Sequence, residues 1–154
     1  MPGDEVDVRP VAASEIRPLR REVLRPGRPA ADSIYPGDDE PTTVHLAAFA
    51  QDRIVGIASL YRESRPGADP AVPGWRLRGM ASAPDTRRRG IGRALLEAVV
   101  SHVAAAGGGE VWCNARTPAI GFYARHGFVV LSEPFDIPRI GPHVVMRLWV
   151  KGST

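Results

Sequence analysis

The clearest pattern of apolar and polar positions along the chain is helical. Ile91, Leu95, Leu96, Val99, Val100 and Val103 recur at three- and four-residue spacing, which predicts an amphipathic helix over Ile91–Ala106. Gly107-Gly108-Gly109 stops it. Val44–Ala50 and Ile54–Arg62 are apolar and β-prone, and the short Gln51-Asp52-Arg53 link predicts a hairpin. Trp75–Ser82 alternates as a strand and ends before Pro84, and Val111–Asn114 reads as a short buried strand. Val6–Arg9 is a further strand. Ser14 is placed to cap a helix reaching about Leu24, with Pro18 in its tolerant first turn. Thr117 is placed to cap a helix over Pro118–His126 that Gly127 ends, and Phe128–Leu131 and Val144–Val150 form a final pair of strands. Arg25–Thr42, with four prolines and two glycines, and Glu63–Gly74 read as loops.

This order predicts an α/β fold. The strand–helix–strand unit from Trp75 to Asn114 demands a parallel pair, whereas the hairpins demand antiparallel ones. The expectation is a mixed, mostly antiparallel sheet flanked by helices in one domain over residues 1–154.

Composition narrows the function classes. No apolar run approaches the ~20 residues of a membrane span, and the polar, acidic Met1–Pro10 has no signal-peptide core. Lone Cys113 cannot form an intramolecular disulfide, so the expected location is the cytoplasm. The formal charge of +3 raises a nucleic-acid partner, but the arginines cluster at 17–28 and 87–93 and aromatic residues are only 6%, too few for base stacking. The charge suits a small phosphorylated cofactor as well. No His/Cys group has metal-ligand spacing, so no metal is expected.

The segment Arg87-Arg88-Arg89-Gly90-Ile91-Gly92-Arg93 lies between a strand end and the strongest helix. Helix N-termini present unpaired N–H groups and about half a positive charge. Gly90 and Gly92 remove side chains where backbone must approach an anion, and the arginines add charge. The P-loop pattern is absent, and Leu95 stands where a dinucleotide fingerprint needs its third glycine. Basic glycine loops also simply start helices, and the loop alone leaves that alternative open.

Arg87-x-x-Gly90-x-Gly92 resembles the Gln/Arg-x-x-Gly-x-Gly/Ala signature of the GNAT N-acetyltransferase superfamily. Asn114 followed by Ala119, Phe122, Tyr123, Gly127 and Phe128 is similar to that family's second segment, with two extra residues before the alanine. The resemblance implies an acetyl-CoA-dependent acyltransferase that acetylates a primary amine by direct attack in a ternary complex. It also implies a splayed parallel pair, with the cofactor arm entering between Trp75–Ser82 and Val111–Asn114. Coenzyme A would then be held by Met80, Ala81 and Ser82, by the loop residues Arg87, Arg88, Arg89, Gly90, Ile91, Gly92 and Arg93, by Asn114, and by Tyr123. An amide near Met80 or Ala81 would polarise the thioester carbonyl. Tyr123 would hydrogen-bond the departing thiolate; with an ordinary pKa near ~10 it stays protonated at pH 7.

A protonated alkylamine costs about 4–5 kcal/mol to neutralise at pH 7, so a base is expected. Ile140-Gly141-Pro142-His143 resembles a Gly-Ile-Pro-His turn in one GNAT subgroup, although the isoleucine between Gly and Pro is missing. This ranks His143 first and Glu133 second as the base, with Asp136 nearby. Arg76 and Arg78 and the acidic run Asp38-Asp39-Glu40 read as solvated more readily than as substrate contacts, and Cys113 as a core thiol. The expected partner is a small-molecule or peptide amine, with neither nucleic acid nor membrane, and homodimerisation is left open. A GNAT-fold module that holds acyl-CoA without catalysis is the alternative.

Overall fold

The computed structural model describes residues 6–86 and 90–153. The first half runs β1 (Asp7–Val11), α1 (Ala13–Leu24), β2 (Val44–Ala50), β3 (Arg53–Arg62) and β4 (Gly74–Ser82). The second half runs α2 (Ile91–Ala105), β5 (Gly108–Arg116), α3 (Ile120–Arg125), β6 (Val129–Val130), β7 (Phe135–Ile137) and β8 (Gly141–Lys151). The eight strands form one mixed sheet in the order β1-β2-β3-β4-β5-β8-β6, with β7 also on β8. Gly74–Arg76 pairs in parallel with Glu110–Trp112, while β1–β2, β2–β3 and the pairings of β8 with β5, β6 and β7 are antiparallel. The mixed α/β sheet expected from the sequence is therefore present. The chain gathers into two compact units, Met1–Tyr61 with Leu77–His102 and Arg62–Arg76 with Val103–Thr154.

In the first unit, Ile16 and Leu19 of α1 bury against Ala47, Ile57, Ala81 and Ala83. Side chains alternate along β3, so Gly56 points away from Ile57; a Cβ at Gly56 would overlap Ile91 Cγ2 and lie 3.1 Å from Leu95 Cδ1. The missing side chain is what lets α2 lie close on the strand. The predicted stripe of α2 is buried at Ile91, Leu95, Leu96, Val99 and Val103 and half-buried at Val100. In the second unit, β8 pairs along all of β5, from Gly108↔Lys151 to Arg116↔His143.

Several boundaries differ from the sequence reading. The first helix starts at Ala13 rather than behind Ser14; the Ala12 N–H is satisfied by Glu15 Oε2 at 2.9 Å, and Pro18 lies inside the helix. The first hairpin turns on two residues, Gln51 and Asp52, with Gln51 at φ 57. Gly108 and Gly109 are strand residues: a Cβ at Gly108 would stand 2.6 Å from the Val150 carbonyl, so backbone proximity requires glycine there. Thr117–Ala119 forms a 3-10 turn before the shorter α3, without a side-chain cap. Phe135–Ile137, between Pro134 and Pro138, is a strand because β8 supplies partners for it.

Candidate functional site

Three of the predicted phosphate-loop residues, Arg87, Arg88 and Arg89, lie outside the described residues. Gly90 adopts φ 74, a left-handed conformation that L side chains rarely take, and nothing stands within 4 Å of where its Cβ would be. Its carbonyl accepts from Ala94 N–H at 3.0 Å, starting α2 at once. Ile91 is buried and Gly92 half-buried, while Arg93 is exposed and reaches along the helix to Glu97 at 2.9 Å. The turn into α2 thus offers an open cradle, at the positive end of a fifteen-residue helix dipole. These features fit an anionic cofactor group.

On β4, Met80 and Ser82 are half-buried and Ala81 is buried against the α1 core. Gly79, at φ 68, breaks the regular extended backbone just before them, and Ala83 N–H donates to the Val55 carbonyl at 2.8 Å. Parallel pairing with β5 is confined to the first three residues of β4.

In the second unit, Tyr123 of α3 is buried, with Phe122 and Phe128 rings 5.3 Å and 5.2 Å away. Burial, and then the neighbouring Cys113, push its phenol well above the ordinary tyrosine range, so it is a proton-bearing group at any physiological pH. Burial pushes the Cys113 thiol up to about 12, and the core thiol expected from the sequence is what the structure holds.

Directly opposed residues on antiparallel strands face the same side, so Trp112 and Asn114 of β5 share a face with Arg147, Val145 and His143 of β8. On that face lies a cleft of about 490 Å³, the size of a small-molecule site, with Asn114 in its wall. His143 is buried behind Phe135, which lines the cleft; their rings stack at 6.0 Å. Its Nδ1 lies 2.7 Å from the Gly141 carbonyl, and a carbonyl only accepts, so Nδ1 bears a hydrogen and Nε2 is the ring nitrogen left for proton exchange. Glu133 and Asp136 are exposed and do not line the cleft. Arg76 is not a solvated sheet residue: its guanidinium lies 5.2 Å from the Trp112 ring centre.

Sequence reasoning missed a buried polar network in the first unit. Arg20, fully buried on α1, donates to Asp38 Oδ2 at 2.7 Å, to the Ser33 carbonyl at 2.8 Å and to Ser59 Oγ at 2.8 Å. Tyr61 donates to Asp38 Oδ1 at 2.6 Å, and His45 lies 2.7 Å from Ser59 Oγ and 2.9 Å from the Asp38 carbonyl. Burial alone would raise the Asp38 carboxyl, but hydrogen bonds from Arg20, Tyr61 and the Tyr35 N–H outweigh it and hold it at about 2. Burial and the Asp38 carboxylate push Tyr61 up to about 12. Asp38 is therefore not part of a solvated acidic loop. The one sequence signal for this network is Ser59 and Tyr61 recurring at period two beside Ile57 in an otherwise apolar strand. The Arg20 and Arg78 guanidiniums lie 3.9 Å and 4.1 Å from the Tyr35 ring centre, which removes Arg78 too from the solvated class.

A left-handed glycine opening a helix behind a strand, and a mixed sheet whose parallel pair brackets that helix, define a class that comparison with known proteins makes definite. Residues 28–148 match the model of the acetyltransferase (GNAT) domain. The chain is 35% identical over 148 residues to the uncharacterized N-acetyltransferase YitI of Bacillus subtilis, covering 96% of this chain and 99% of that protein. The chain belongs to the GNAT acetyltransferase family. Its fold is shared with an acyl-CoA N-acyltransferase from Pseudomonas aeruginosa, at TM-score 0.71 and 20% identity over 93% of this chain and 99% of that one. It is also shared with Arabidopsis thaliana NAA60 in complex with acetyl-CoA, at TM-score 0.73 and 16% identity over 95% and 99%. Among the described residues no helix is long and apolar enough to cross a membrane.

Proposed function

We propose that this chain acts as a single-domain, acetyl-CoA-dependent N-acetyltransferase that acetylates a primary amine in a ternary complex. The observation that carries the reading is Gly90: a left-handed, side-chain-free opening at the start of α2, in a chain of the GNAT family. When bound, acetyl-CoA supplies an activated acetyl thioester that the amine attacks directly. By the motif resemblance, the backbone N–H groups from about Arg88 to Arg93 would hold the pyrophosphate, with Arg87 adding charge, and Met80, Ala81, Ser82 and Asn114 are the residues that the resemblance assigns to the pantetheine arm. Tyr123 would donate a hydrogen bond to the leaving thiolate, and burial, by raising its pKa, disfavours full proton transfer. Cys113, with its thiol raised to about 12, holds almost no thiolate at pH 7, which favours direct attack over an acetyl-cysteine relay. His143 Nε2 is the first choice of base and Glu133 the second, acting directly or through water.

Calorimetric titration of the purified protein with acetyl-CoA tests the reading, followed by mass spectrometry of a mixed amine pool. Saturable binding and an acetylated product are expected. Failure to bind acetyl-CoA overturns the assignment, and binding without product from any amine points to a non-catalytic acyl-CoA module.

A further inference from the structure

The second unit's cleft has a composition that selects its occupant. One wall is apolar, built from Trp112, Leu131, Phe135 and Val145. The other carries Arg65, Arg76 and Glu63. Arg65 is matched by Glu110 at 3.1 Å, but the same buried carboxylate also faces Arg147 at 3.7 Å. Among the described residues Arg76 pairs with Glu63, at 3.5 Å and with the Glu63 side chain 46% exposed, so that pair is long and open to competition. Of the two arginines that line the cleft, Arg76 therefore has the longer and more exposed ion pair, and it stands beside the apolar wall. The Arg76 guanidinium is held near the Trp112 ring, and the indole is itself fixed by its Nε1–H donating to the Glu63 carbonyl at 2.8 Å. An oriented arginine in a long, exposed ion pair, beside an aromatic ring, is suited to a carboxylate attached to an apolar body.

We infer that this cleft recognises the acceptor, and that the acceptor is a small amine bearing a carboxylate and an apolar or aromatic side chain, the chemistry of an apolar amino acid. The inference rests on the proposed acetyl transfer for the word acceptor, but the carboxylate specificity of the cleft stands apart from it. Arg76 replaces Glu63 with the ligand carboxylate, and the Trp112–Phe135 wall takes the side chain.

The test titrates the full chain, with and without coenzyme A, with N-acetyl-L-phenylalanine and with its methyl ester, which differs in lacking the charge. The carboxylate is expected to bind about tenfold more tightly than the ester, as a charge-assisted pair requires. Arg76→Gln is expected to abolish that preference while leaving coenzyme A affinity unchanged; Arg76→Lys, which keeps charge without the fork, restores part of it. Equal binding of acid and ester, no binding of either up to millimolar concentration, or a preference that survives in a folded Arg76→Gln protein each overturns the inference. Loss of coenzyme A binding alone would instead sink the proposed function, with the acid–ester comparison still deciding the cleft.

Discussion

At the scale of single residues, the two most consequential side chains differ in how visible they are along the chain. Tyr123 stands out because it sits at fixed spacing from Asn114 and Gly127, and α3 buries it beside Cys113. Tyr123→Phe is expected to lower turnover by ~10-fold or more while changing acetyl-CoA affinity little, as steady-state kinetics and calorimetry would show; unchanged turnover would remove Tyr123 from the chemistry. Asp38 gave the opposite impression. It opens an acidic run that reads as solvated, yet its carboxylate is buried against a guanidinium 18 residues away in sequence. Asp38→Ala leaves Arg20 charged and unpaired in the interior, so a loss of about 3–5 kcal/mol in urea unfolding is expected. A loss under 1 kcal/mol would mean that water replaces the carboxylate.

At the scale of elements, periodicity made α2 and the β2–β3 hairpin legible, because both depend on neighbours within a few residues. The ends of β5 and the existence of β7 were not legible. Glycines at 108 and 109 look like breakers until β8 is laid beside them, and Pro134 and Pro138 hide a strand that only β8 can pair. Gly56 gives the sharpest test of packing between elements. An added methyl at Gly56 would overlap Ile91 Cγ2, so Gly56→Ala is expected to destabilise the fold by about 1–3 kcal/mol and to lower acetyl-CoA affinity by shifting the start of α2. Chemical denaturation and calorimetry on one preparation would check both; full stability with wild-type affinity would show that α2 yields freely.

At the scale of the whole molecule, pH and ligand act on the folding equilibrium. Asp38 titrates near 2 when folded against an ordinary 3.8, so its contribution is complete above about pH 4 and lost as pH falls towards 2. That difference corresponds to about 2 kcal/mol, and Asp38→Asn is expected to flatten this part of an acid-unfolding curve. Tyr61 behaves with the reverse sign: its raised pKa favours the folded chain below pH 10, an advantage lost as pH climbs towards 12. If the proposed cofactor binds only the native state, acetyl-CoA at 100 times its Kd adds ~2.7 kcal/mol and raises Tm by roughly 5–10 °C in a thermal scan; an unmoved Tm would contradict native-state binding. By itself the sequence determined the helical stripe of α2, the hairpin, the glycines at the cradle and the family, since each is written in spacings of a few residues. Only the tertiary structure decided that Asp38 neutralises Arg20, that His143 is buried with Nδ1 against the Gly141 carbonyl, and that Arg65, Arg76 and Trp112 share a cleft. Those facts depend on which distant segments exclude water from one another, and local spacing carries no record of that.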